Sequence, residues 1–413
     1  MGKSKIFYSV IVILCIMCIT FNTFSATFLY KVDNVDKSKV KKESSISTIQ
    51  TIATPEFNFQ STAQILIEPY SKTVIYENNA DEHLLPASVT KVMTLLLLME
   101  QIDSGKISYS DKITCSEEAS KMGGSQIWFK PGEELSVDDC LKAICVVSAN
   151  DVTKAVAEHI GGTESNFVKM MNDKAKELGM NNTCFKNCHG IDEEGHYTCA
   201  RDIAIMSSEI ITKHPNILKY SSIWMDTLRN GEFGLSNTNK LIRYYDGATG
   251  LKTGYTSNAG YNLSASATRN KSSFIAVIMK APTSDIRNKE ASDLLNYAFS
   301  NFETKQIHDI DYTVEKVSIN KAINKEGIIK TKEAISYMTP KGKNIETEEI
   351  ITYTTDFTAP IKANTEVGKI EIKDKVTGQI IGEAKLYIQN DIEKSNFMDY
   401  FKRIFEMYIL KTI

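Results

Sequence analysis

Ser88 and Lys91 stand three residues apart at the start of a long apolar run. Serine offers a hydroxyl nucleophile, and a lysine that has lost its proton offers a base. Seven apolar residues follow between Val92 and Met99, so the sequence predicts a helix through Glu100, buried on nearly all sides, with Ser88 in its first turn. Residues i and i+3 of a helix share one face, and a buried ammonium is costly unless it is paired or deprotonated. The pair therefore predicts a base beside a nucleophile.

The spacing S-x-x-K does not establish catalysis alone, because it also begins at Ser38 and Ser318. Two further short motifs follow the first one in the chain. Ser148 and Asn150 lie in VVSANDV, at a break in a helical pattern, and the sequence Lys-Thr-Gly at 252–254 leads into a strand-like run. Lys-Thr-Gly occurs once in the chain. The order of the three motifs is much more specific than any one of them.

Length and composition favour one large domain and one smaller domain. The chain has 413 residues, of which 42% are hydrophobic and 24% are charged. Its formal net charge of −3 gives no indication of nucleic-acid binding. Six cysteines lie beyond the N-terminal segment, too few for a disulfide scaffold at this size, so free thiols are expected. A disulfide between Cys184 and Cys199 is an alternative.

The N-terminus has the pattern of an export signal. Lys3 and Lys5 precede an apolar stretch at 6–20, and small residues follow it. The sequence predicts a signal peptide at 1–26, although an uncleaved anchor helix is an alternative, and a polar linker at 27–58. The expected location is outside the cytoplasmic membrane, on its outer face or in the cell wall.

Residue periodicity predicts three folded segments. A hairpin at 64–68 and 73–77, helices at 137–160, 165–178 and 200–213, strands at 261–268 and 272–281, and a helix at 284–302 indicate an α+β domain at 59–303. Short strand-like runs indicate a small all-β domain at 304–391. The segment 392–413 predicts an amphipathic helix with Phe397, Phe401, Ile404, Phe405 and Tyr408 on one stripe. A membrane-surface anchor is favoured over docking onto the β-domain or a partner.

Together, the three motifs resemble the active-site set S-x-x-K, S-x-N and K-T-G of the penicillin-binding proteins and serine β-lactamases. The stretches GGSQIWFKPGEELSVDDC, MNDKAKELGM and NCHGIDEEGHYTCARD resemble in particular the D-alanyl-D-alanine carboxypeptidases of low molecular mass. The resemblance extends from about residue 63 to the C-terminus. It implies a penicillin-binding/β-lactamase-like transpeptidase domain, in which helices surround an antiparallel sheet, followed by the small all-β domain and the terminal helix.

The resemblance implies a serine acyl-transfer reaction. Ser88 would attack a terminal D-Ala-D-Ala bond of a peptidoglycan stem peptide, expel the last D-Ala, and form an acyl-enzyme that water hydrolyses. Lys91 would take the serine proton, with its pKa lowered by burial and by Lys252. Ser148 would pass a proton to the leaving amine, and Asn150 would hold the substrate amide.

The third motif would bind the end of the substrate. Lys252 and Thr253 would hold the terminal carboxylate, and Gly254 would let the peptide lie along the strand. The backbone N–H groups of Ser88 and Tyr255 would form the oxyanion hole. β-Lactam antibiotics would acylate the same serine.

The resemblance implies no cofactor and no metal. The loop that contains His189 and His196 also holds Cys184, Cys188 and Cys199, which leaves zinc as an alternative. Two other functions share the motifs. A β-lactamase has no need of the β-domain and terminal helix, and a penicillin-sensing receptor or wall-binding scaffold would be acylated without turning over.

Overall fold

The computed structural model describes residues 56–410. The predicted signal peptide and nearly all of the predicted linker lie outside the described residues. The predicted domain boundaries at 59, 303 and 391 stay predictions.

The α+β domain is built on one antiparallel sheet of five strands, in the spatial order Thr73–Asn78 (β2), Ala63–Glu68 (β1), Ser272–Ala281 (β9), Gly260–Arg269 (β8) and Ala248–Thr256 (β7). The predicted hairpin and both predicted strands are present. Chain order brings the first two strands, from the start of the domain, against the last three. The short pairs are Lys112–Thr114 (β3) with Glu134–Ser136 (β4) and Met225–Leu228 (β5) with Phe233–Ser236 (β6).

Helices cover both faces of the sheet. Strand β9 shows this directly, because Ile275, Val277 and Met279 join one apolar cluster while Phe274 and Ile278 join the other. The helices in chain order are Lys91–Asp103 (α1), Glu117–Ser120 (α2), Val137–Val147 (α3), Asn150–Gly161 (α4), Glu164–Glu177 (α5), Ala200–Lys213 (α6), Leu218–Ser221 (α7), Leu241–Tyr244 (α8) and Ser284–Asn301 (α9). Residues of α1, α3, α4 and α6 fill the first cluster, and α9 packs in the second.

The entry to the core helix differs from the prediction. Ser88 lies in a 3₁₀ turn, Ala87–Thr90, and the α-helix begins only at Lys91 and continues past Glu100 to Asp103. Ala87 has a φ of 48°, which is incompatible with a helix that starts at Pro86. Ser88 and Lys91 are nevertheless neighbours, as expected. A 3₁₀ helix has three residues per turn and places the side chains of residues i and i+3 directly above one another.

The other two motifs lie at a helix break and within a strand. Helix α3 ends at Val147, Ser148 is left-handed with a φ of 64°, and α4 begins at Asn150, as the predicted break requires. Lys-Thr-Gly lies inside β7, a strand that was not predicted, and leads into β8 as predicted. The strand was hidden in the sequence because a lysine, a threonine and a glycine interrupt its apolar character.

An all-β segment follows α9. Strands Thr313–Ser318 (β11), Glu326–Thr331 (β12), Thr347–Tyr353 (β14), Glu366–Asp374 (β15) and Ile380–Ile388 (β16) form a sheet, and Phe302–His308 (β10) pairs with Ile335–Pro340 (β13). Their apolar faces share a separate core that contains Ile329, Ile370 and Leu386. The predicted small all-β domain is confirmed.

The described chain ends in a helix, Phe397–Leu410 (α10). Within residues 56–410, no helix has the length and apolar character needed to cross a membrane. The six cysteines of this part of the chain are free, so the alternative disulfide between Cys184 and Cys199 is not formed.

Candidate active site

Lys91 lies at the centre of the candidate site with its side chain fully buried. Its Nζ is 2.8 Å from Ser88 Oγ, 2.7 Å from Asn150 Oδ1 and 2.7 Å from the carbonyl oxygen of His189. The amide oxygen and the backbone carbonyl can only accept hydrogen bonds, whereas the hydroxyl can also donate. A neutral amine satisfies all three contacts, because two N–H groups donate to the carbonyls and the nitrogen lone pair is left for the Ser88 hydroxyl.

The surroundings of Lys91 favour that neutral amine. Burial, and then the positive charge of Lys252, hold the pKa of the Lys91 ammonium well below its ordinary value of 10.5. No carboxylate is within ion-pairing distance of its Nζ among the described residues. The predicted juxtaposition of Ser88 and Lys91 is therefore present, and the surroundings of Lys91 favour the form that can accept a proton.

The helix break brings Ser148 and Asn150 to the same site. Asn150 Nδ2 donates to the carbonyl of Gly123 at 2.7 Å while its Oδ1 accepts from Lys91. One amide N–H of Asn150 stays available for a ligand. The Ser148 hydroxyl is buried and makes no hydrogen bond within the described part of the chain, as expected for a group whose partner is a substrate or a solvent molecule.

Strand β7 supplies the third motif. Lys252 is 1% exposed and donates to the Thr253 carbonyl at 3.1 Å. Burial lowers the pKa of Lys252 to about 7. The hydroxyl of Thr253 is 2.7 Å from that of Thr238, which the sequence motifs did not include. A second buried cation with an adjacent hydroxyl is suited to an anionic group such as a carboxylate.

Gly254 lies directly against the 3₁₀ turn Ala87–Thr90, which contains Ser88 and which we call the nucleophile turn. A Cβ at this position would lie 2.8 Å from the carbonyl oxygen of Pro86 and 3.0 Å from the backbone nitrogens of Ser88 and Val89. Any side chain would separate β7 from the turn, so glycine is required here by close approach. Tyr255 follows with a side chain that is 54% exposed and a ring 4.3 Å from that of Tyr261. The strand thus brings the Tyr255 backbone beside that of Ser88.

The second support of the turn was missed in the sequence. Gly190 has a φ of +89°, and a Cβ there would lie 1.9 Å from the carbonyl oxygen of Ala87. Its neighbour His189 contributes only a backbone carbonyl to Lys91. Asn262, which pairs with Gly254 in the sheet, donates to the carbonyls of Leu85 at 2.8 Å and Pro86 at 3.1 Å. The His-Gly pair in the loop was the only sequence signal for any of these contacts.

The histidines of this loop act as neutral hydrogen-bonding groups. Burial lowers the pKa of His189 and of His196 to about 4. His196 Nδ1 accepts the N–H of Lys186 at 3.1 Å, so its Nε2–H donates to Thr90 Oγ1 at 2.9 Å. Within residues 56–410, neither ring hydrogen-bonds to Ser88, and the arrangement differs from a Ser-His-Asp triad.

The residues that the structure brings together as a possible zinc site differ from those that the sequence suggested. Glu164, Cys188 and His189 place one ligand atom each within 4.8 Å of one another, whereas Cys184, Cys199 and His196 are not in this group. The Nδ1 of His189 accepts the N–H of Ile191 at 3.2 Å, so the nitrogen that faces Glu164 carries the proton. Glu164 also pairs with Lys154 at 3.1 Å. These contacts describe a hydrogen-bonded network whose donors occupy the positions that a zinc ion would need.

Known proteins match the chain over most of its length. The model of the family described as D-alanyl-D-alanine carboxypeptidase matches residues 49–283, and that of the penicillin-binding protein 5 C-terminal domain matches residues 302–394. D-alanyl-D-alanine carboxypeptidase DacF of Bacillus subtilis is 42% identical over 354 residues, which cover 85% of this chain and 90% of the relative.

Solved structures agree with this match. Penicillin binding protein 5 of Haemophilus influenzae is 30% identical with a TM-score of 0.64, covering 83% of this chain and 100% of that chain. Penicillin-Binding Protein D2 of Listeria monocytogenes, in its ampicillin-bound form, is 29% identical with a TM-score of 0.55 over 59% of this chain and 100% of that chain. The chain belongs to the D-alanyl-D-alanine carboxypeptidase family.

Proposed function

We propose that the protein is a serine-type D-Ala-D-Ala carboxypeptidase that removes the terminal D-alanine from peptidoglycan pentapeptides. The observation that carries the proposal is the fully buried Lys91 amine, 2.8 Å from Ser88 Oγ, whose pKa is lowered first by burial and then by the charge of Lys252. Such an amine can take the hydroxyl proton as Oγ forms its bond to the substrate carbonyl. Family membership supplies the substrate class.

Two steps complete the reaction. In acylation, Ser88 Oγ adds to the carbonyl of the penultimate D-Ala, its proton passes to Lys91, and the C–N bond breaks as the leaving amine receives a proton through Ser148. D-Alanine departs, and the acyl group stays on Ser88 as an ester. In deacylation, water adds to the ester, gives its proton to the same base, and the Ser88 oxygen leaves with a proton.

The substrate carboxylate would be bound by Lys252 and Thr253, and its carbonyl oxygen by the N–H groups of Ser88 and Tyr255. Asn150 would donate its remaining N–H to the substrate amide. β-Lactams would acylate Ser88 in the same way, and the ampicillin-bound form of the Listeria relative supports this.

The β-lactamase and receptor alternatives are less well supported. The match to the penicillin-binding protein 5 C-terminal domain over residues 302–394 accounts for a segment that a β-lactamase does not need. A receptor would be acylated but would not release product repeatedly, so turnover separates it from an enzyme.

The first test is D-alanine release from a pentapeptide ending in D-Ala-D-Ala. We expect many turnovers per protein molecule, a loss of at least about a thousandfold in Ser88→Ala, and no penicillin labelling of that variant. Labelling that persists in Ser88→Ala would place the nucleophile elsewhere. Penicillin labelling of the wild type without any release of D-alanine would favour the receptor.

Gly254→Ala should impair acylation without unfolding the protein. The new Cβ meets three backbone atoms of the nucleophile turn, which cannot rotate away, so Ser88 is displaced from its base. We expect the penicillin acylation rate to fall by about a hundredfold. Gly234→Ala is the matched control, because a Cβ there meets nothing within 4 Å. Equal rates in the two variants would contradict the close approach.

The pH dependence of acylation tests the charge coupling of the two lysines. Protonation of Lys91 removes the base, so the rate should fall as the pH drops through its pKa. Because the charge of Lys252 lowers that pKa, Lys252→Gln should move the acidic limb to higher pH, while Lys252→Arg should leave it in place. The measurement is the pH profile of the acylation rate in all three proteins. An acidic limb at the same pH in all of them would exclude the coupling.

The proposal extends to the cellular location. We infer export by the N-terminal segment and attachment to the outer face of the membrane by α10. On this helix, Phe397 is 80% exposed, Phe401 55% and Phe405 59%. A row of exposed aromatic side chains on a terminal helix is suited to the boundary between lipid headgroups and acyl chains.

Removal of residues 397–413 should therefore release the processed protein from vesicles. The cut preserves the backbone hydrogen bond from Ser395 to Lys321, which holds the end of the β-domain. Phe401→Glu should weaken binding in the intact chain, whereas Val376→Glu, at a β-domain position that is 85% exposed, is the control for added charge. Binding that persists after truncation would assign attachment to another segment.

A further inference from the structure

Trp128 combines an exposed ring with an unusual backbone. Its side chain is 64% exposed, and its φ is 54°. A bulky residue rarely adopts the left-handed region, and a large aromatic ring is normally covered. Both features are unfavourable for folding, so the position points to a role in binding.

The backbone around Trp128 is fixed by two charged side chains. Asp151 Oδ2 accepts the N–H groups of Ile127 and Phe129, each at 3.0 Å, and thereby holds both neighbours of the tryptophan. Arg229 donates to the carbonyl of Ile127 at 3.0 Å and to that of Trp128 at 3.3 Å. The indole is thus presented to solvent by a rigid segment and not by a mobile loop.

Trp128 has an aromatic neighbour. The ring of Phe233 lies 5.9 Å away at an angle of 69°, and the Arg229 guanidinium lies 5.5 Å from the Phe233 ring centre. Arg229 is itself paired with Glu133 at 2.7 Å. The exposed Trp128 ring and the half-buried Phe233 ring, which we call the aromatic shelf, therefore lie beside a guanidinium that is paired with a carboxylate.

The aromatic shelf is connected to the active site on two sides. Asn150 binds the segment that leads to Trp128 through two hydrogen bonds. Its backbone N–H donates to the Ser125 carbonyl at 2.7 Å, and its side-chain amide donates to the Gly123 carbonyl. The strand that begins at Phe233 leads within five residues to Thr238, which contacts Thr253. Both rings of the shelf therefore lie on segments that also contact the active site, one at Asn150 and the other at Thr253.

We propose that the aromatic shelf binds the apolar face of a sugar ring in the glycan to which the stem peptide is attached. The inference assumes the proposed function and extends it to the polymer beyond the scissile bond. A pyranose presents a neutral face of C–H groups, which can pack against an exposed indole. The charged groups of a stem peptide would find no free opposite charge here, because Arg229 is already paired with Glu133. Continuity with the active site favours a part of the same substrate over a separate partner.

The experiment compares two substrates on the full-length protein: a free pentapeptide, and the same pentapeptide attached to its N-acetylated disaccharide. For Trp128→Ala we expect KM for the disaccharide substrate to rise by about tenfold, with KM for the free pentapeptide unchanged. Trp128→Phe should retain most of the wild-type affinity because it keeps an aromatic face. Tyr312→Ala is the matched control, an exposed aromatic that stacks on His308 at 3.7 Å in the β-domain.

Each outcome decides between specific readings. Equal losses on both substrates would place the stem peptide on the shelf and overturn the sugar assignment. Unchanged KM on both substrates, with normal wild-type turnover, would overturn the shelf alone. If the wild type released D-alanine from neither substrate, the proposed function would fail and not the shelf.

Fluorescence supplies a second, activity-independent readout. The chain has two tryptophans, so Trp224→Phe leaves Trp128 as the single indole. Titration of that variant with an N-acetylglucosamine tetramer should change the Trp128 emission in a saturable manner. An unchanged emission at millimolar tetramer would also contradict sugar stacking.

Discussion

The structure depends on keeping one lysine uncharged inside the protein. A buried ammonium without a carboxylate is unfavourable, and burial together with the charge of Lys252 favours loss of the Lys91 proton. The neutral amine is fixed by partners from three separate elements: the 3₁₀ turn with Ser88, the α3–α4 junction with Asn150, and the loop with His189. Since these elements are far apart in the sequence, the site exists only when the whole α+β domain has folded.

The nucleophile turn is positioned by close backbone contacts at two glycines, which have no side chain to keep the chains apart. Gly254 allows β7 to approach the turn from one side, and Gly190 allows the loop to approach the Ala87 carbonyl from another. Backbone-to-backbone contact of this kind leaves little freedom of movement. It also explains why the turn is 3₁₀ and not α-helical: with Ala87 held at positive φ, the chain can enter α1 only through a tighter turn.

Residue types revealed the reacting groups, but not the backbone that holds them. Ser88, Lys91, Ser148 and Lys252 could be found because three short motifs follow one another in the order of a known active-site set, although S-x-x-K alone also begins at Ser38 and Ser318. The His189 carbonyl could not, because every residue has one and its role depends on the loop conformation. The sequence also suggested Asn150 only as a substrate ligand, whereas its amide oxygen is already used to hold Lys91. Packing across the domain decides such contacts, and no local pattern contains them.

The two buried lysines also give the site a way to respond to its substrate. Burial, and then the positive charge of Lys252, lower the pKa of Lys91 and so favour loss of its proton before substrate arrives. A carboxylate bound beside Lys252 would neutralise that charge and so make Lys91 a stronger base. The serine would thus be activated most strongly when a C-terminal carboxylate is in place. By this coupling, the group that identifies the end of the peptide also promotes proton transfer from the nucleophile.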